Sequence, residues 1–223
     1  MSEKIAVGEA VRRRRTVRQF RSDPVPESAV REILDLAGLA PSGGNLQPWR
    51  VFALAGEPMA ELKRTVASSE GEEREHQGYP PNLWEPYRTR RFKNGEELYA
   101  IIGIPREERP RRLEQLAKNG DLFGAPVGLF FFTERRMGRL QWADVGMLMQ
   151  NVMLLAVERG LDTCPQGYWV RYGQAVAAAT GAENEDLILI AGMALGYADE
   201  DAVINRYRAG REPLESWAQF RGF

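Results

Sequence analysis

Apolar residues recur with helical or strand spacing along most of the chain. Between residues 26 and 39 they follow the i, i+3, i+4, i+7 pattern of an amphipathic helix, at Val30, Ile33, Leu34 and Ala37. Further helices are predicted over 59–67 and 173–180, and strands over 49–55, 125–133 and 187–195. The last two strands are apolar without alternation, which is typical of strands that are buried on both faces.

Segment 142–159 is apolar around almost its whole circumference. Its apolar residues are Val145, Met147, Leu148, Met149, Val152, Met153, Leu154, Leu155, Ala156 and Val157. A helix without a solvated face must be covered on every side. In a chain of 223 residues the simplest cover is a second copy, so the pattern predicts a homodimer. Gly160 stands where a glycine commonly ends a helix.

The chain shows no internal repeat and no low-complexity linker, which predicts a single domain over residues 1–223. A charged, proline-rich stretch at about 70–115 is interpreted as a surface insertion or lid. The polar and aromatic segment 205–223 has no strong period and is predicted to be an arm that lies on another surface, with the partner subunit as the candidate.

Composition excludes several classes of protein. Hydrophobic residues make up 43% of the chain, enough for a substantial core. Thirty basic residues against 31 acidic ones argue against a nucleic-acid or membrane-surface role. One cysteine excludes an intrachain disulfide framework, and a single histidine argues against a histidine-rich metal site. No apolar run approaches a membrane span and no signal core is present, so a cytoplasmic location is expected.

Two arginine-rich segments lie almost at opposite ends of the chain. "RRRRTVRQF" covers 12–20, and "NRYRAGREPL" covers 205–214. Clustered guanidinium groups favour a phosphate, because the planar fork donates two parallel hydrogen bonds. One phosphate shared by both segments is therefore one hypothesis. A solvated charge run and a nucleic-acid-binding arm are the alternatives.

Two turns have the composition of a ligand-binding backbone. "APSGGNLQPW", residues 40–49, places glycines beside the donors Ser42 and Asn45, although a plain turn has the same residue types. "TCPQGYW", residues 163–169, is predicted to be a loop whose N–H groups point at a flat ring. Cys164 is interpreted as a packing residue rather than a nucleophile, and His76 as a solvated surface residue.

These motifs together resemble the nitroreductase superfamily of flavin mononucleotide (FMN) enzymes over nearly the whole chain. "RRRTVRQF" is similar to the family's Arg-Arg-Ser-x-Arg-x-Phe signature, and "APSGGNLQPW" to its Pro-Ser-x-x-Asn-x-Gln-Pro-Trp turn. "FGAP", "DVGMLMQNVMLLAVERGLDTCPQG" and "ALGY…NRYRAGREPL" follow in the expected order. The resemblance implies an α+β fold with a central mixed β-sheet flanked by helices. It also implies an intertwined homodimer whose C-terminal arm crosses to the partner.

The resemblance implies a set of FMN contacts. These are Arg14, Arg15, Thr16, Arg18, Pro41, Ser42, Gly43, Asn45, Pro165, Gln166, Gly167, Arg208 and Arg211. Arg14 is expected on the phosphate with the two C-terminal arginines, and Thr16 stands where the family usually has serine. Arg18 falls where a basic residue faces flavin N1 and the C2 carbonyl. The 41–45 turn is expected to reach the flavin from the other subunit, and residues 165–167 to supply the N–H that faces N5.

The implied activity is hydride transfer from NADH or NADPH to flavin N5, followed by reduction of a nitroaromatic, quinone or related acceptor in ping-pong order. No side chain is expected to act as acid, base or nucleophile, because the cofactor carries the chemistry. The substrate pocket is predicted to include Trp84, Tyr87, Phe92 and Phe123. Dehalogenation, enone reduction and flavin fragmentation within the superfamily stay open. So does a flavin-binding sensor without turnover.

Overall fold

A computed structural model describes residues 5–72, 76 and 78–223. The helices are α1 (Val7–Arg13), α2 (Glu27–Ala37), α3 (Gly56–Ala67), α4 (Tyr87–Ile101), α5 (Arg109–Ala117), α6 (Arg139–Glu158) and α7 (Gly173–Thr180). The strands are β1 (Trp49–Ala55), β2 (Val127–Glu134), β3 (Asp162–Gln166) and β4 (Leu187–Gly196). Each helix and strand predicted from the apolar pattern is present, and the predicted bounds of β1 and α7 are confirmed.

The four strands form one sheet in the order β1-β2-β4-β3, and every neighbouring pair is antiparallel. The predicted mixed sheet is therefore wrong for these strands. The parallel element that the structure shows is an isolated bridge between Thr16 and Thr163, where the Val17 amide donates to the Thr163 carbonyl over 3.0 Å. This bridge places the N-terminal arginine segment beside β3.

Apolar cores cover both faces of the sheet. On one face Phe130 and Phe132 pack with the indole of Trp169, whose ring centroid lies 5.1 Å from that of Phe130. On the other face Leu129 and Phe131 pack against α2 and α6. Alternate residues of β2 thus enter different cores, which explains why the strand is apolar without alternation. The prediction that β2 and β4 are buried on both faces is confirmed.

The predicted loop over 163–169 is wrong. Residues 162–166 form the edge strand β3, and residues 167–172 form a short 3-10 helix. The error came from Pro165 and Gly167, whose types favour turns. An edge strand tolerates a proline because one side of its backbone has no neighbouring strand that requires the N–H.

The long helix α6 packs one side into the core and leaves part of its circumference uncovered. Val145, Leu148 and Val152 are buried, whereas Leu140 is 78% and Met147 39% exposed. By length and composition α6 could cross a membrane, contrary to the sequence-based expectation that no segment reaches that length. It packs one side against α1, α2 and the sheet, and 28% of its apolar window is buried. The homodimer stays a prediction.

The insertion and the C-terminal segment lie at the surface. Helices α4 and α5, both wholly within the described residues, contain no buried residue. The segment after residue 206 has one short 3-10 helix, Leu214–Ser216. Three of its aromatic side chains are largely exposed, namely Trp217, Phe220 and Phe223. The crossing of this segment to a partner subunit stays a prediction.

Candidate functional site

Both arginine-rich segments line one cavity of about 790 Å³, here called the arginine cavity. Its walls come from α1 and the residues after it, from α4, from α6, from β3 and from residues 207–211. The lining residues are Val11, Arg12, Arg14, Arg15, Thr16, Arg18, Asn94, Gln150, Met153, Pro165, Tyr207, Arg208, Ala209 and Arg211. The structure thus brings together seven of the thirteen predicted FMN contacts.

Buried Asn205 joins the two ends of the chain. Its Oδ1 accepts the backbone N–H of Arg18 over 2.7 Å, and its Nδ2 donates to the Gln19 carbonyl over 2.7 Å. Nearby, Arg208 Nη1 donates to the Arg13 carbonyl over 3.0 Å. Because Asn205 is only 4% exposed, these hydrogen bonds are shielded from water and fix the relative position of the two segments.

The arginine cavity carries uncompensated positive charge. Burial, together with the neighbouring charges of Arg211 and Arg208, lowers the pKa of Arg14. Among the described residues no carboxylate lies within ion-pair distance of these three guanidinium groups or of Arg18. Like charges gathered without counter-charges destabilise a fold, so the arrangement requires an anion to become favourable.

The other arginines of the N-terminal run already have carboxylate partners. Arg12 and Arg13 pair with Glu9, at 3.3 and 2.8 Å. Arg15 pairs with Glu200 at 2.6 Å and its side chain is only 15% exposed. Arg15 Nε is buried and has no hydrogen-bond partner among the residues that the structure describes. The run therefore separates into paired residues and one, Arg14, that is available to a ligand.

At β3 the structure separates wall residues from core residues. Pro165 lines the arginine cavity, whereas Cys164 is 2% exposed and burial raises the pKa of its thiol to about 12. The Gln166 side chain is buried and donates to the Asn119 carbonyl over 2.9 Å. Gly167 is exposed. Cys164 is thus a packing residue, and Gln166 can offer a cavity ligand only its backbone.

The 41–45 turn lies outside the arginine cavity of the same chain. Gly44 and Asn45 have φ values of 60° and 56°. Ser42 Oγ accepts the Gln47 N–H over 2.9 Å, and Asp144 of α6 accepts the Gly43 N–H over 3.3 Å. The left-handed φ at position 44 explains a glycine there. Whether Pro41, Ser42, Gly43 and Asn45 reach a flavin from a second subunit stays a prediction.

A second cavity, of about 830 Å³, lies at the insertion and is here called the insertion cavity. It is lined by Asn82, Leu83, Trp84, Glu85, Arg88, Arg91, Phe92, Gly95 and Glu96. Trp84 and Phe92 of the predicted substrate pocket line it, and Tyr87 packs edge-on against Trp84 with ring centroids 5.5 Å apart. Phe123 is only 4% exposed and belongs to the core instead, so it cannot contact a ligand without moving.

Two side chains have roles that the sequence did not indicate. Tyr207 Oη lies 3.0 Å from Asn94 Oδ1 and 3.1 Å from Glu97 Oε2, which ties the C-terminal arginine segment to α4. Burial, followed by the Glu97 hydrogen bond, raises the pKa of Tyr207. His76 is half-buried, with Nε2 2.9 Å from the Leu189 carbonyl oxygen, so the prediction that it is a solvated residue is wrong.

A family model described as the nitroreductase family matches residues 11–197 of the chain. This match includes the N-terminal arginine segment, β3 and the whole sheet. The chain belongs to the nitroreductase family. It is therefore an oxidoreductase, and the family predicted from the sequence motifs is confirmed.

Relatives of this nitroreductase-family chain align along nearly its full length. A 4-nitrobenzoate reductase of Pseudomonas putida is 36% identical over 94% of this chain and 93% of its own. A chloronitrobenzene nitroreductase of Comamonas testosteroni is 35% identical over 96% of each chain. The names of both relatives give nitroaromatic compounds as substrates.

Solved nitroreductase structures show the same fold. The FMN- and NADPH-dependent nitroreductase NfnB from sphigopyxis sp. strain HMH superimposes with a TM-score of 0.94 at 43% identity, over 98% of this chain and 100% of its own. NfnB from Mycobacterium smegmatis, solved in complex with NADPH, gives a TM-score of 0.89 at 30% identity, over 97% and 100%. The predicted cofactors, FMN with a reduced nicotinamide nucleotide, are those of these similar structures.

Proposed function

We propose that the chain is an FMN-dependent NAD(P)H oxidoreductase that reduces nitroaromatic compounds and related electron-poor acceptors. One observation carries this proposal: four guanidinium groups, which have no carboxylate partner in the part of the chain that the structure describes, meet in a cavity built from both ends of the chain. The substrates named for the full-length relatives support the acceptor class.

The arginine cavity fits the FMN phosphate. Arg14, Arg208 and Arg211 form a cluster whose mutual repulsion a dianionic phosphate would relieve, and each can donate charge-assisted hydrogen bonds. Thr16 lines the same cavity, and its hydroxyl is a group that can donate to the phosphate or to the ribityl chain. The cavity volume of about 790 Å³ lies within the range typical of cofactor sites.

When bound, FMN would supply the redox chemistry that links NAD(P)H oxidation to reduction of the acceptor, and we expect ping-pong order. The chain's own residues bind and orient. The Arg18 backbone is held by a hydrogen bond to Asn205. Its positively charged side chain is suited to the electron-rich N1 and C2 carbonyl edge of a flavin. Pro165 at the edge of β3 forms the wall beside it. With the Cys164 pKa near 12, this thiol does not act as a nucleophile.

The active unit in this proposal is a homodimer in the cytoplasm. The uncovered side of α6, with Leu140 and Met147 exposed, supplies the apolar surface that a second copy would bury. The 41–45 turn is fixed to α6 through Asp144 and would reach the partner's flavin edge. The exposed aromatic residues of 205–223 would lie on the partner.

Purification and steady-state kinetics test the proposal. The protein should purify yellow with the absorbance of bound FMN, and it should oxidise NAD(P)H catalytically, beyond one equivalent per flavin, when an acceptor is added. A panel of nitroaromatics, quinones, enones and halophenols should give the highest kcat/KM for nitroaromatics, with parallel double-reciprocal lines. A colourless protein that binds no added FMN would overturn the proposal. So would a yellow protein that turns over no acceptor in the panel.

A further inference from the structure

The helix α4 forms a wall between the two cavities. Asn94 lines the arginine cavity, whereas its helix neighbours Arg91, Phe92 and Gly95 line the insertion cavity. An α-helix with its side chains is about 10–12 Å across. A molecule whose reacting ring lies at the flavin can therefore enter the insertion cavity only if it is long enough to pass around this helix.

Arg91 lines the insertion cavity without an ion pair to any carboxylate that the structure describes. The carboxylates that line it are both paired, Glu85 with Arg88 at 2.7 Å and Glu96 with Arg112 at 2.6 Å. Arg91 has no carboxylate within ion-pair distance among the described residues, and its guanidinium lies 4.4 Å from the ring centroid of Tyr79. The cavity can thus attract an anion without strong repulsion from its own acidic residues.

Aromatic ring faces lie beside this cation. Trp84 is 57% exposed and Phe92 49%, and both line the cavity. Half-exposed rings of this size are suited to stack with a planar base, as they do in proteins that bind single-stranded nucleic acids. A ring surface beside an unpaired guanidinium matches a flat base that carries a phosphate nearby.

We propose that the insertion cavity binds the adenosine 2′-phosphate end of NADPH, with the adenine on Trp84 and Phe92 and the 2′-phosphate on Arg91. This inference rests on the proposed function, because it assumes that the nicotinamide reaches a flavin in the arginine cavity. A dinucleotide is long enough to extend past α4, whereas a single-ring acceptor that contacts the flavin is not. The insertion thereby selects NADPH over NADH.

Binding of nucleotide fragments tests the site without turnover. Isothermal titration of the FMN-loaded protein with 2′,5′-ADP and with 5′-AMP compares two ligands that differ only in the 2′-phosphate. The wild type should bind 2′,5′-ADP about tenfold tighter, the lower end of what a charge-assisted hydrogen bond contributes, because Arg91 is exposed. Arg91→Gln should abolish this difference. Trp84→Ala should weaken both ligands alike.

Arg106→Gln is the matched control. Arg106 also lies over a ring, 5.2 Å from the centroid of Phe92, and has no ion pair among the described residues, but it does not line the cavity. It should keep the preference for 2′,5′-ADP. Kinetics should agree: Arg91→Gln should lower kcat/KM for NADPH about tenfold and leave that for NADH within twofold.

The outcomes separate this inference from the proposed function. Equal binding of both fragments by the wild type would overturn the inference, as would an equal loss for NADPH and NADH in Arg91→Gln. A loss in Arg91→Gln confined to carboxylated acceptors would assign the cavity to the acceptor and overturn it too. Selective 2′,5′-ADP binding that depends on Arg91, in a protein that oxidises no NADPH, would support the site and refute the proposed activity.

Discussion

Replacing Arg14 by glutamine should have opposite effects on the apoprotein and on the FMN complex. In the complex the substitution removes one charge-assisted phosphate contact, which contributes about 1.5–3 kcal/mol. The Kd for FMN should therefore rise about tenfold to a hundredfold. In the apoprotein the same change removes a half-buried charge whose pKa is lowered by burial and then by repulsion from Arg211 and Arg208. Removing a like charge from such a cluster should stabilise the apoprotein by about 0.5–1 kcal/mol.

The assay compares two neighbouring arginines. Arg13 is 65% exposed and paired with Glu9, so Arg13→Gln should leave FMN affinity within about twofold because surface pairs contribute little. FMN titrations give the Kd values, and thermal unfolding of the apoproteins should show a Tm about 1–4 °C higher for Arg14→Gln. Equal FMN affinity in both variants would refute the phosphate assignment. A lower apoprotein Tm in Arg14→Gln would refute the argument from repulsion.

Three further predictions concern other parts of the molecule. Cys164→Ala should keep turnover within a few fold, and loss of hydride transfer with FMN still bound would contradict this. Native Cys164 should not gain reactivity toward iodoacetamide between about pH 7 and pH 9, because a thiol with a pKa of about 12 stays protonated there. Gly192→Ala should lower the free energy of unfolding by about 1–3 kcal/mol in chemical denaturation, because the new Cβ would overlap the buried indole of Trp169. An unchanged denaturation midpoint would show that the indole can move. Inactive Arg14 and Asn45 variants, refolded together, should regain activity, because one of the two sites in a heterodimer carries neither lesion; heterodimers that form but stay inactive would exclude shared sites.

Local patterns predicted the elements well, because the apolar positions record which faces are buried. Strand β1 and helix α7 have the bounds that their apolar runs indicated. Strand β3 was missed because its residues, Asp162–Gln166, include a proline and precede a glycine. Only the position of β3 at the sheet edge makes that composition acceptable, and edge position is a tertiary property.

The shared arginine cavity was predicted from charge chemistry, but the residues that build it were not. Asn205 joins segments separated by 187 positions through hydrogen bonds to Arg18 and Gln19, and nothing local to Asn205 indicates that role. The contact of Tyr207 with Asn94 likewise depends on where α4 packs. Conversely, Phe123 was assigned to the substrate pocket from its residue type, yet the fold buries it. The surroundings of all three residues depend on how segments distant in the sequence pack together.

The most direct test of the central claim separates the two half-reactions in time. Under anaerobic conditions one equivalent of NADPH should bleach the flavin absorbance of the purified protein without any acceptor. After removal of the nicotinamide nucleotide, a nitroaromatic compound should restore the absorbance with matching loss of the nitro compound. Both steps should occur, each with a rate constant at least as large as kcat. An absorbance that NADPH leaves unchanged, or that the nitroaromatic fails to restore, would contradict it.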